Sequence, residues 1–231
     1  PTQFASMSTA QINALSAAQV AALDTSTVAG LSTAQIRAIT TEALAELSQS
    51  AVQALSTAQV LALSAEQVAG LNGSVLAALE TADLAALSTT QVRALGTAQL
   101  DALGTDQLAS LTTRQVAALT TAQVQALETA DIVALASDDL RALTAAQIAA
   151  LGTAQVDALT GDQLAALTNT QVTGLSTTQL QVLTGADLSQ FSSSQIMALS
   201  TAQVASLSGA QLATLETADL AVLGTAQVRA L

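Results

Sequence analysis

One period of eight residues runs through the chain without insertion or deletion, and it limits the possible folds more than any other feature. Counting back from Leu231 in steps of eight finds Leu223, Leu215, Leu207 and Leu199, and continues to Leu15 and Met7. Of the 29 members of this column only Met7, Ile39 and Phe191 are not Leu. Self-similarity at fixed spacing marks a solenoid or array, and it overrides the one or two globular domains that 231 residues would otherwise suggest. The expectation is a single uninterrupted array over 1–231. It reads as a piece of a longer array, because Leu231 completes a repeat with no polar capping element behind it.

Written as S-T-A-Q-V-x-A-L, the octad is apolar at its fifth and eighth positions. The fifth runs through Phe4, Ile12, Val20, Val28, Ile36 and Leu44 to Val228, and the seventh is mostly Ala. The sixth wanders through Arg37, Gln53, Asp101, Gln125, Asp157 and Arg229, as a solvent-facing position would. Positions five and eight share a helical face. Eight residues at about 100° each overshoot two turns by roughly 80°, so an unbroken helix would scatter the columns around its circumference. The helix must therefore break once per octad.

The first column supplies the break. Ser, Thr, Asp or Asn fills 20 of its 28 positions and Gly four more (Gly96, Gly104, Gly152, Gly224), and these are helix N-cap residues. Three places on stands Gln at 20 of 29 positions, so Ser200-Thr201-Ala202-Gln203 reads as a capping box. The preceding Leu and the fifth-column residue have the spacing of a hydrophobic staple. At Glu80, Glu128 and Glu216 the following Thr and the later Asp suggest that the cap shifts to Thr81, Thr129 and Thr217. Helices of five or six residues do not survive alone, so packing on neighbours must hold them, and the seventh-column Ala permits close approach.

The expected fold is all-α: a solenoid of very short N-capped helices, one per octad, with equivalent octads and no paired hairpins. The alternative is a β-solenoid, favoured by Thr in the second column and Val or Ile in the fifth. Strand alternation fails, however, because columns seven and eight are adjacent and both apolar or small. Ala, Leu and Gln favour helix. Asn72-Gly73-Ser74-Val75 looks like an altered turn, and Gln190-Phe191 in place of Ala-Leu like a repacked joint.

Composition excludes most chemistry. With no His and no Cys there is neither the commonest general base nor a thiol, and the many Ser and Thr have nothing to activate them. No catalytic, cofactor-binding or metal residue is expected, and no cofactor. Ser137-Asp138-Asp139 and the three Glu-Thr-Ala-Asp tetrads lack the alternating carboxylates and Gly of a calcium loop, and read as cap and first-turn acids. Thr33, Thr57, Thr81, Thr89, Thr97, Thr105, Thr113, Thr121 and Thr129 would form a ruled, ice-binding hydroxyl ladder only on a β stack. Five Arg against 17 acids give a net charge of -12, which repels nucleic acid and anionic membranes, and no apolar run is long enough to span a bilayer.

Runs such as LSTAQVxAL, LTTAQVQAL and LGTAQVDAL resemble octapeptide arrays in very large surface or exported proteins of Gram-negative bacteria. Those proteins are often labelled haem-utilisation or adhesion proteins, or placed near the RTX type. The resemblance implies an extracellular, cell-surface, adhesin-like setting. It departs from the haem label in having no His, Cys or Tyr to ligate iron, leaving Met7 and Met197 as the only soft ligands, and from RTX arrays in lacking their Gly/Asp calcium signature. The expected function is a non-enzymatic stalk, spacer or fibre. The alternative is a protein- or glycan-binding module with a groove along the sixth column, where a cluster such as Arg93 with Asp101 would matter. Expected partners are neighbouring repeats, and beyond them a lateral copy or a surface protein or glycan.

Overall fold

A computed structural model describes residues 2–231, with side chains from Gln3 onward. Among these residues it holds 29 helices of four to six residues, from α1 (Thr2–Ala5) to α29 (Thr225–Val228), one per octad, and no strand. The β alternative, and the Thr ladder that depended on it, are thereby overturned. The chain divides into two compact units, 1–119 and 120–231, and the octad frame is continuous through both.

From α2 (Thr9–Asn13) onward, each helix starts directly after its cap-column residue. Ser200 is extended (φ -70°, ψ 161°), its Oγ accepts from the Gln203 N–H at 3.2 Å, and its own N–H donates to Gln203 Oε1 at 2.7 Å. Each helix ends within two turns because the eighth-column Leu adopts extended backbone at the junction or follows a last αR residue. The Leu N–H bonds back to the fifth-column carbonyl, as Leu207 does to Val204 at 3.1 Å.

The three Glu caps differ from expectation. Glu80, Glu128 and Glu216 are themselves the N-caps, and Thr81, Thr129 and Thr217 are the first helical residues. Moving the start by one would turn the fifth-column side chain about 100° off the core, so the buried Leu84 and Ile132 hold the frame. At Glu128 the orphan N–H is met by the shorter acid, donating to Asp131 Oδ2 at 3.0 Å. Asn72 is likewise an ordinary N-cap with α10 (Gly73–Leu76) behind it, not an altered turn.

Within each unit a helix packs on the third helix along the chain, as α9 (Ala65–Gly70) does on α12 (Thr89–Ala94) and α19 (Ala145–Ala149) on α22 (Asn169–Gly174). Its Gln, however, reaches back to the fourth octad: Gln59 of α8 (Thr57–Ala62) bonds the carbonyls of Val28 and Leu31, which lie 31 and 28 residues earlier. One coil is therefore about 28 residues, or three and a half octads. Each octad sits over the joint between two octads of the coil below.

Columns five and eight fill the interior: Val92, Leu100, Val116, Leu164 and Leu180 are fully buried, and the eighth-column Leu nearly so. The sixth column is exposed at Arg37, Asp101, Gln125, Asp157 and Arg229. Column four faces the preceding coil and column five the following one. Gln11 and Gln19 are exposed in the first coil, whereas Leu220 and Val228 are 40% and 53% exposed in the last.

The seventh-column Ala does permit close approach, but to a helix one coil away and not to its sequence neighbour. A Cβ on Gly174 would meet Ala145, 29 residues earlier, at 3.0 Å, and one on Gly161 would meet Gln190, 29 later, at 3.1 Å. The bulk of Gln190 is thus accommodated by Gly161, and Phe191 beside it is buried.

Candidate functional site

The one polar constellation that recurs through the fold is the fourth-column Gln. It is a long side chain with an acceptor at one corner and two donors at the other. Helix geometry puts it at the third helical position, where Oε1 reaches back to the cap N–H. Gln171 is 1% exposed: Oε1 accepts from the Thr168 N–H at 2.8 Å and the Thr168 hydroxyl at 3.1 Å. Nε2 then donates across the coil boundary to the carbonyls of Leu140 at 2.8 Å, Arg141 at 3.3 Å and Leu143 at 2.7 Å.

The same pattern holds Gln115 to Leu84 and Leu87, Gln155 to Val124 and Leu127, and Gln195 to Leu164 and Leu167. The fifth-column carbonyl already accepts from the eighth-column Leu N–H, so the amide adds a second donor there and supplies one to the eighth-column carbonyl beyond the helix end. One amide therefore caps the start of its own helix and the end of another a coil away. No buried side-chain polar atom among the described residues lacks a partner.

The capping half of this role was expected from the sequence; the cross-coil half was not. A signal was present. Column four contains 20 Gln and five Asp but no Glu, although Glu serves a capping box as well as Gln does. Only the amide can accept at one corner while donating at the other.

Where Asp replaces Gln, the seam is rebuilt. Asp83 Oδ1 accepts from the Thr57 hydroxyl at 2.8 Å and Asp219 Oδ1 from the Ser193 hydroxyl at 2.7 Å, each 26 residues earlier. The carboxylate is too short, and without a donor, to reach the carbonyls of Val52 and Leu55 as Gln would. Asp138 is exposed and Asp139 buried in the first turn of α18 (Ser137–Ala142). No group of three acidic residues could hold a metal among the described residues. Arg93 and Asp101 are exposed on successive helices. Met7 is half-buried and Met197 exposed. The second-column Thr from Thr33 to Thr129 are first helical positions, exposed except for the half-buried Thr105, and Thr57 bonds Asp83 of the next coil.

In the 120–231 unit an open cleft of about 360 Å³ crosses successive coils. Arg141, Thr168, Asn169, Ser192, Ser194 and Gln195 line it. Its cation is not accompanied by an acid in the walls. No helix among the described residues is long and apolar enough to cross a membrane.

A family model described as the ALTTAQ repeat matches residues 76–113, 132–169 and 185–217, somewhat less than half of the chain. The chain is similar to that repeat family, which supports a repeat-array protein. The first two matches begin 56 residues apart, seven octads, which is the length of two coils. No curated protein matches the chain.

Proposed function

We propose that the chain is a non-enzymatic structural region, a stalk, spacer or fibre segment of an exported, adhesin-like protein of a bacterial surface. The observation that carries this reading is the Gln seam: the column-four amide, present in most octads, is spent on the cap of its own octad and on the coil before it. Side chains so engaged hold neighbouring coils at fixed separation, which is what a spacer needs. The resemblance of the octads to exported arrays supports the extracellular setting, and the net charge of -12 keeps such an array soluble. No catalytic step belongs to the reading. The Ser and Thr hydroxyls of the first column serve as caps.

A spacer sets distance by repeat number. Chains carrying one, two and three copies of residues 1–231 should therefore increase in maximum dimension by equal steps in small-angle scattering. A dimension that stops growing would sink the spacer reading. Surface exposure is checked by protease shaving of intact cells that carry the parent protein.

The cleft beside Arg141 favours a second reading, a protein- or glycan-binding module, because its walls include the sixth-column residues Arg141 and Ala165. A ligand found by array screening that survives Arg141→Ala together with Asn169→Ala would remove that support.

A further inference from the structure

We propose that Asn72 is a site of spontaneous deamidation gated by the fold, and that its conversion to aspartate or isoaspartate releases the octad 72–79 from the coil before it. Asn72-Gly73 is the one Asn-Gly pair in the chain. Two independent demands of the fold create it.

The Asn serves the seam in an octad that lacks a Gln: Val75 stands in the fourth column. Asn72 takes over both duties. Its Oδ1 accepts from the Val75 N–H at 2.9 Å and the Ser74 hydroxyl at 2.7 Å, and its Nδ2 donates to the Ala45 carbonyl at 2.8 Å, 27 residues earlier. The Gly is required by packing, since a Cβ at residue 73 would stand 2.6 Å from the Ala102 Cβ of the following coil. Each choice stabilises the seam, and together they place a side-chain amide next to an unhindered backbone nitrogen.

The chemistry needs only water. The Gly73 nitrogen gives up its proton and attacks Asn72 Cγ, the Cγ–Nδ2 bond breaks, and ammonia leaves with the proton. The succinimide so formed takes up water at either carbonyl, giving aspartate or, with the chain routed through the side chain, isoaspartate.

The folded geometry resists the first step. Asn72 is held extended at ψ 159°, its amide is tied by three hydrogen bonds, and Ala102 covers Gly73. Ring closure requires those bonds to part. They do so when the local seam opens, and in this stretch several octads lack the Gln that ties the seam elsewhere. Ala43, Ala51, Val75 and Asp83 all replace Gln here, and a void of about 10 Å³ lies among Leu44, Leu47, Val52, Leu55 and Val75. The aspartate product still caps its helix, since Asp is as good an N-cap as Asn. It cannot donate to the Ala45 carbonyl, and it sets a carboxylate against it. The isoaspartate product adds a backbone methylene and breaks the eight-residue spacing.

The test holds the full chain at mildly alkaline pH, native and in denaturant, and follows the peptide containing Asn72 by mass spectrometry, with isoaspartate scored by enzymatic methylation. The unfolded chain should convert at least about tenfold faster than the native one, which still converts over time. Converted native protein, separated by charge, should exchange amide hydrogens faster at 43–47 and 72–79 and unchanged at 160–199. Asn72→Asp should reproduce that local change, while Asn72→Ser abolishes conversion. Equal rates in the two states, no conversion in the native protein, or unchanged exchange after conversion would each overturn the proposal.

Discussion

At the scale of the residue, the column-four amide works because it is neutral and has two different ends. Gln171, itself buried, joins one N–H and a hydroxyl to three carbonyls, and its bonds to Leu140 and Leu143 are taken out of water. Gln171→Ala leaves buried donors and acceptors without partners, and should cost roughly 2–4 kcal/mol in chemical denaturation of the chain. Gln171→Glu should cost more at neutral pH, because a carboxylate then faces carbonyls. A folded-state pKa raised in this way means the penalty grows as pH rises through the unfolded value, so the gap to wild type should narrow in acid. Asp24 runs the other way. The Thr27 hydrogen bonds, and then that of the Ser26 hydroxyl, hold its carboxyl below the ordinary carboxylate range. A depressed pKa contributes stability above the unfolded value that is lost as pH falls through the folded one. Asn caps a helix as well as Asp does but does not titrate, so Asp24→Asn should leave the neutral part of a pH–stability curve nearly unchanged and flatten its acid limb.

At the scale of the element, a helix of one to two turns exists only because both its ends are capped and its single apolar face is covered. Gly152 is a cap without a side chain: its N–H donates to Gln155 Oε1 at 2.7 Å, but no hydroxyl returns the bond. Its φ is -69°, and a Cβ there would meet nothing closer than Gln155 Oε1 at 3.6 Å. Gly152→Ser should accordingly stabilise by about 0.5–1 kcal/mol, through the added cap bond and a stiffer unfolded chain, read as a higher Tm. Gly185→Ala should do the reverse, because its Cβ would collide with Thr214 of the following coil. Gly152 stands in the cap column and Gly185 in the second, behind its cap Thr184. The caps, the helix per octad and the core columns were legible because each rests on residues within one repeat. What crowds Gly185 is Thr214, 29 residues away, and the Gln partner is a backbone carbonyl with no side-chain signature at all. The three Glu caps were misread for the same reason: local cap preference favoured the Thr, whereas the buried fifth column, held by other coils, fixed the start.

At the scale of the whole molecule, the half-octad stagger decides which changes the array can absorb. Contacts join octads three and four apart, so any octad can take its neighbour's place provided the eight-residue frame is kept. Excising Ser200–Leu207 would bring Gln211 to the position from which Gln203 now bonds Val172 and Leu175, and the seam would close again. Two costs remain. Asp219 would replace the amide that Gln211 now offers to Leu180 and Leu183, and Thr214 would move from its Gly185 partner to face Thr177. Excising seven residues, Ser200–Ser206, removes less of the chain but rotates every later column off the core. The octad deletion should thus keep the helical circular dichroism with a modestly lower Tm. The seven-residue deletion should lose the protection of residues beyond 200 in hydrogen exchange. Leu151→Asp, at a position 4% exposed in the eighth column, keeps the frame but buries a charge, and should cost at least about 3 kcal/mol. If the octad and the seven-residue deletions melted alike, the frame would not be what organises the fold. Stability in such an array is a sum of octads and of the seams between them, so the smaller deletion must do the greater damage.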